Sequence, residues 1–129
     1  MSRVLFVCVQ NAGRSQMAQT LFQRAAGGRH ESRSAGSRPA DHVHPEVVEA
    51  LLEVGIDVSR NLPRKLERSD LVWADNVITM GCGDECPVVP GKRYADWDLE
   101  DPAGRPLAEV RAIRDDIGRR VTELLQTLA

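Results

Sequence analysis

The chain has 129 residues, 42% of them hydrophobic, which is the length of one ordinary domain (residues 1–129) with enough apolar content for a core and no room for two. A formal net charge of -2, with Lys and Arg dispersed rather than striped, gives no basic field for nucleic acid, and no apolar stretch approaches the ~18 residues a membrane span needs. Three cysteines, with no signal-peptide pattern ahead of the first apolar run, exclude a disulfide-stapled secreted scaffold and point to thiol or metal chemistry in a reducing, cytoplasmic compartment.

Residues 4–7, Val-Leu-Phe-Val, have the β-branched and aromatic content of a buried strand, and Gln10, Asn11 and Gly13 break it before a helical pattern begins near Ser15. Cys8 thus falls where a strand ends and a helix starts. There the amides of residues 9–14 can turn inward around one point, the helix dipole adds positive potential, and Arg14 adds a full charge on a planar fork of donors. A nest of Val9, Gln10, Asn11, Ala12, Gly13, Arg14 and Ser15 suits a tetrahedral oxyanion, and the same surroundings favour a thiolate at Cys8. Taken alone, Cys8 also reads as a buried core cysteine and Arg14 as a surface residue. The combination of Cys-x5-Arg-Ser with a hydrophobic strand before it and an amphipathic helix after it favours the anion cradle. Ser15 has two jobs open to it: capping the helix or hydrogen bonding the sulfur.

Met17, Ala18, Leu21, Phe22, Ala25 and Ala26 recur at helical spacing and stop at Gly27-Gly28. Residues 31–35 are polar but correctly placed to return the chain as a second parallel strand ending at Ser34-Ala35-Gly36. Residues 37–44 read as loop. Pro45 then opens a helix whose face is Val47, Val48, Leu51, Leu52 and Val54, closed by Gly55. Turn chemistry surrounds Pro63, residues 65–73 hold a short helix with Leu66 and Leu71 inward, and residues 76–80 make a third strand. The Gly- and Pro-dense residues 81–91 are expected to be a mobile loop. Residues 92–97 give a fourth strand, residues 98–104 an acidic loop, and Leu107, Val110, Ile113, Ile117, Val121, Leu124 and Leu128 a long helix that Gly118 weakens only locally.

Strands alternating with helices imply an α/β fold, a three-layer sandwich in which a four-stranded parallel sheet carries helices on both faces. Ligands in such folds bind at the carboxyl ends of the strands. Cys8, the loop bearing Cys82 and the loop bearing Asp101 each follow a strand, so all three are expected at that edge. Asp101 is placed there to act as a general acid, although Asp-Pro is also an ordinary turn pair and Asp96, Asp98 and Glu100 lie nearby. Cys82 and Cys86 as half of a zinc site lack a second ligand pair, since His30, His42 and His44 are far off in sequence, so no metal is expected. The redox reading, which needs Cα atoms about 4.4 to 6.8 Å apart, is preferred because neighbouring glycines permit rearrangement.

The run Cys8-Val9-Gln10-Asn11-Ala12-Gly13-Arg14-Ser15-Gln16-Met17-Ala18 resembles the active-site loop of the low-molecular-weight tyrosine phosphatase superfamily, in particular its arsenate reductase branch. The resemblance continues through Ser34-Ala35-Gly36, Val77-Ile78-Thr79-Met80, Cys86-Pro87 and Asp101-Pro102-Ala103-Gly104. True tyrosine phosphatases of this fold usually carry tyrosines just after the Asp-Pro pair, and none follows here; the sole tyrosine is Tyr94. The resemblance implies reduction of arsenate to arsenite: Cys8 forms a thiol-arsenate adduct aided by Arg14 and Asp101, Cys82 attacks Cys8, and Cys86 moves the disulfide to Cys82–Cys86, where thioredoxin resets it. Thioredoxin is then an external reductant, no cofactor is bound, and the enzyme is expected to be monomeric.

Two features depart from that pattern. The family spaces its two later cysteines more widely, with the first directly after the strand, whereas here Gly81 holds that place and Cys82 follows. Better-known members hold potassium beside the nucleophile loop with acidic groups, and Gln19 and Arg64 stand where two of those acids would be. No potassium site is expected, with Arg64 or Lys65 supplying positive charge instead. The alternatives are a low-molecular-weight phosphatase working through a phospho-Cys8 intermediate, a reductase coupled to a small thiol, and a non-catalytic carrier or sensor whose three sulfurs hold arsenite or zinc.

Overall fold

The computed structural model describes residues 1–82 and 90–128. Arg3–Cys8 forms β1, Arg14–Ala26 α1, Glu31–Gly36 β2, Pro45–Leu52 α2, Arg68–Trp73 α3, Asn76–Thr79 β3, Arg93–Asp96 β4 and Leu107–Thr127 α4. The strands make one parallel sheet in the order β2-β1-β3-β4, the α/β architecture expected from the sequence.

β1 is buried from Val4 onward, as a central strand covered on both faces must be. Its side chains alternate between two apolar groups. Val4, Phe6 and Cys8 join residues of α1, α2 and α4, while Leu5 and Val7 join Leu71 of α3, Val77 and Cys82. Phe6 anchors the larger group, with its ring 5.6 Å from Phe22 and 5.8 Å from Trp97. The α4 stripe is confirmed at Val110, Ile113, Ile117 and Val121, all buried, and the helix runs unbroken through Gly118.

Several boundaries differ from the sequence expectation, among them β4, which is one residue shorter at each end than residues 92–97. α2 ends at Leu52, so Val54 lies in the turn before Gly55 (φ 85°), and Leu52 points to solvent. α3 starts at Arg68 rather than at 65, because Lys65 forms a parallel bridge with Gly36 and Glu67 and Asp70 close a reciprocal capping box. The third strand stops at Thr79. The middle of the loop expected to be mobile, residues 83–89, lies outside the described residues, as does Cys86. Among the described residues no helix is long and apolar enough to cross a membrane.

The end of α2 is tied to α4 by Glu53, which accepts from Arg111 (2.6 Å) and Arg114 (2.9 Å). The hydrogen bond from Arg111, reinforced by Arg114, lowers the Glu53 pKa below the ordinary glutamate value. A lowered folded-state pKa stabilises the fold above the unfolded value, and that contribution is lost as pH falls through the folded one. Glu53→Gln is therefore expected to lower the melting temperature at neutral pH, with the difference from wild type closing in acid below the glutamate range. Melting curves across that range check it.

Candidate active site

The strands end level. Cys8 pairs with Gly36, Val7 with Thr79 and Thr79 with Asp96, so residues 9–13, 80–82 and 97–101 leave the sheet at one edge, as expected for the three chemistry-bearing loops.

Cys8 is a free cysteine, 2% exposed. Its Sγ lies 2.9 Å from Ser15 Oγ and accepts the Asn11 N–H at 3.3 Å. The N-cap of α1 is Gly13, without a side-chain cap bond, so of the two jobs open to Ser15 the structure selects contact with the sulfur.

The turn between β1 and α1 is shaped from outside. The carbonyls of Cys8, Val9, Gln10 and Ala12 accept hydrogen bonds from the backbone N–H of Ser37, Arg38, Ala40 and His44, at 2.8 to 3.2 Å. A trans peptide plane points its N–H opposite its C=O. Tying these carbonyls to residues 37–44 therefore turns the amides of Val9, Gln10, Asn11 and Gly13 away from that segment, and the Asn11 amide reaches the sulfur. Gly36 makes the close approach possible: a Cβ there would sit 2.6 Å from the Val9 carbonyl oxygen and 2.9 Å from the Asn11 nitrogen. Sequence reasoning read residues 37–44 only as a connecting loop. Nothing local marks them as a brace, because the bracing is done mainly by their backbone, with one side-chain contact, His44 to Gln10 at 3.1 Å.

Asn11 was expected to contribute its amide alone, yet its side chain organises the turn. It adopts φ 51° and is fully buried. Its Nδ2 donates to Ser15 Oγ (2.7 Å), and its Oδ1 accepts from the Arg64 N–H (3.0 Å) and from Gln16 Nε2 (3.3 Å). Gln16, also missed, donates to the Asn11 carbonyl at 3.1 Å and accepts from Asn61 at 3.2 Å. Asn is among the few residues that tolerate a positive φ, and that was the available signal.

Arg14 is buried, and its two terminal nitrogens face different partners: Nη1 donates to the Leu99 carbonyl (3.3 Å) and Nη2 lies 3.6 Å from Asp101 Oδ2. Asp101 is half exposed, with Oδ1 accepting from the Ala103 N–H (3.0 Å). Pro102 presses on the turn between β1 and α1 so closely that a Cβ on Gly13 would stand 2.7 Å from its Cγ. Gly81 adopts φ 76°, and a Cβ there would overlap the Arg14 guanidinium. In this conformation the residue after Met80 has no room for a side chain unless Arg14 moves. Cys82 comes next, buried beside Leu5, Val7 and Val77. The structure thus brings together Cys8, Arg14, Ser15 and Asp101 and carries Cys82 past Arg14.

Beside the loop opens a polar cavity of about 600 Å³ whose lining includes Asn11, Gln19, Arg64 and Asp70. Of the two cations considered for this place, Arg64 lines the cavity, while Lys65 is exposed and donates to the Ser37 carbonyl.

A Corynebacterium glutamicum thioredoxin-dependent arsenate reductase superposes with a TM-score of 0.83 at 44% identity; 98% of this chain is covered, and the chain spans only 60% of that protein. The glutaredoxin arsenate reductase of Synechocystis sp. is 34% identical over 132 residues, covering 100% of both chains. A low molecular weight protein tyrosine phosphatase from T. tengcongensis has a TM-score of 0.88 at 29% identity, over 99% of this chain and 100% of its own. The sequence profile described as low molecular weight phosphotyrosine protein phosphatase matches residues 3–129. With the cysteine-arginine loop, the parallel sheet and the Asp-Pro loop all in place, the chain belongs to the low molecular weight phosphotyrosine protein phosphatase family.

Proposed function

We propose that the protein is an arsenate reductase that works by a thiol relay and is reset by thioredoxin. The observation that carries the reading is the close approach of the Cys82-bearing segment, through Gly81, to the Arg14 that serves the Cys8 loop. The likeness to arsenate reductases of both thioredoxin and glutaredoxin type supports it.

The Cys8 thiolate attacks arsenic, an arsenate oxygen leaves as water, and a sulfur–arsenic(V) bond forms. The inward amides and Arg14 offset the oxyanion charge, and Asp101, beside Arg14, delivers the proton to the departing oxygen. Ser15 and the Asn11 amide hold the sulfur. The Cys82 thiolate then attacks Cys8 Sγ. A disulfide forms, the sulfur–arsenic bond breaks with its electron pair passing to arsenic, and arsenic(III) leaves as arsenite. Cys86 attacks Cys82, frees Cys8 as a thiolate and leaves a Cys82–Cys86 disulfide, which the dithiol of thioredoxin reduces.

The same Cys8, Arg14 and Asp101 suffice for hydrolysis of small phosphate esters through a phospho-Cys8 intermediate, so a residual phosphatase activity is expected. No aromatic residue follows Asp101-Pro102 to stack on a phosphotyrosine.

The decisive experiment is arsenate-dependent NADPH oxidation with thioredoxin and thioredoxin reductase, set beside glutathione–glutaredoxin and mycothiol systems. Turnover with thioredoxin supports the proposal, turnover only with a small thiol replaces its last step, and no turnover with any donor overturns it. Because Arg64 lines the cavity beside the loop, the rate is expected to be equal in sodium and potassium salts of matched ionic strength. Clear activation by potassium would contradict a built-in cation there.

A further inference from the structure

We propose that Asp70 is a positioning residue for Cys8, acting from α3 through Arg64 and Asn11. Asp70 is 2% exposed, and a buried carboxylate is costly unless it is paired and hydrogen bonded. Here every lone pair is engaged. Arg64 grips both oxygens, with Nη2 to Oδ1 at 2.5 Å and Nη1 to Oδ2 at 3.1 Å. Arg33, lying over the Trp73 ring, adds Nη1 to Oδ1 at 3.4 Å, and the Glu67 N–H reaches Oδ2 at 3.0 Å.

The last of these bonds is the helix cap. The two-pronged grip of Arg64 goes beyond capping, and what it fixes is the backbone at Arg64. That backbone reaches the nucleophile loop twice, once through β2 and once directly. The Arg64 carbonyl accepts the N–H of Gly36, the residue paired with Cys8, at 2.9 Å. The Arg64 N–H donates to Asn11 Oδ1 at 3.0 Å. Asn11 in turn donates to Ser15, and Ser15 contacts Cys8 Sγ. An unbroken polar chain runs from Asp70 through Arg64, Asn11 and Ser15 to the sulfur.

Such a chain answers a specific need. A non-glycine residue at positive φ persists only where its surroundings over-determine it. Asn11 is held from one side by Gln16, itself anchored by Asn61, and from the other by Arg64, anchored by Asp70. Releasing the second anchor lets Asn11 relax and takes its amide and the Ser15 hydroxyl out of register with Cys8.

The inference rests on Cys8 as the nucleophile of the reading above, but its readout needs no substrate. Failure of arsenate turnover with every donor would sink that reading and leave this one standing. The measurement is the rate at which iodoacetamide alkylates Cys8 in the reduced protein, followed on the Cys8 peptide by mass spectrometry. Asp70→Asn is expected to slow it about tenfold, since small displacements of a reacting group are costly. Arg64→Lys, which keeps the charge but loses the fork, is expected to do the same. In an Asn11→Gly background, where positive φ is free and the backbone N–H is kept but the side-chain link to Arg64 and Ser15 is gone, either change should alter the rate by less than about twofold, as sites acting through a shared link are non-additive. Arg64 is half exposed, so if Asp70→Asn melts below the assay temperature the Arg64→Lys cycle decides. Wild-type alkylation rates in the folded single variants, or full additivity with Asn11→Gly, would overturn the proposal.

Discussion

Replacing Cys82 with serine is expected to abolish arsenate turnover and to leave hydrolysis of p-nitrophenyl phosphate at the wild-type rate. In the proposed mechanism the two reactions share their first half, attack by Cys8 on a tetrahedral centre held by the loop amides and Arg14. They part afterwards. A phospho-cysteine is resolved by water, whereas the arsenic adduct needs a second sulfur to take Cys8 into a disulfide and return two electrons to arsenic. Serine cannot form that bond. Cys82 is buried among Leu5, Val7 and Val77, so the serine hydroxyl is placed in apolar surroundings at a cost of roughly 1 to 3 kcal/mol, and melting curves must accompany the assay. Loss of both activities in a folded variant would argue against separate roles. Cys86→Ser completes the logic: a single turnover should leave a Cys8–Cys82 disulfide, detectable by mass spectrometry.

Gly81→Ala is expected to depress both activities together, by about a hundredfold, which is what a displacement of about 1 Å in a positioned group can cost. The backbone term is moderate, roughly 1 to 2 kcal/mol for an alanine in the left-handed region. The larger effect is steric. The new methyl group overlaps the Arg14 guanidinium and pushes it off the Leu99 carbonyl and Asp101, so the cost falls on the position of Arg14. Steady-state kinetics should show the loss in kcat as well as KM, because in the proposed mechanism Arg14 holds the bound oxyanion and stabilises the charge of the transition state more strongly still. Arsenate turnover falling alone would instead assign Gly81 to the relay loop.

These expectations draw unequally on the sequence. The nucleophile loop was legible because its signal is local: an apolar run, a break and an amphipathic helix around Cys8 and Arg14. The parallel order followed from alternation of strands and helices, and α4 from its stripe at steps of three and four. What was hidden is non-local. Asp70 looked like one more polar residue in a short helix, since Arg33 becomes its neighbour only when β2 and α3 pack together and Arg64 reaches it only once the turn before α3 folds back. Lys65 looked helical until Gly36 claimed its backbone. Asn11 was counted for the amide every residue has, while the role of its side chain depends on Arg64, 53 positions away in sequence. The departure at Gly81 was visible in the sequence, but its reason required the Arg14 side chain in three dimensions.

The backbone brace over the nucleophile loop has a consequence for how this protein can change. Its four bonds use main-chain N–H groups at positions 37, 38, 40 and 44, and Pro39, which has none to give, falls in a gap between two of them. Any residue but proline carries the needed donor. The shape of the turn between β1 and α1 is therefore encoded there largely in chain length and spacing, with Val43 in the core and His44 against Gln10 as the side chains that also count. The exposed positions Asp41 and His42 can be rewritten, to fit a new protein partner for example, while a single insertion or deletion would shift the donors out of step and undo the turn.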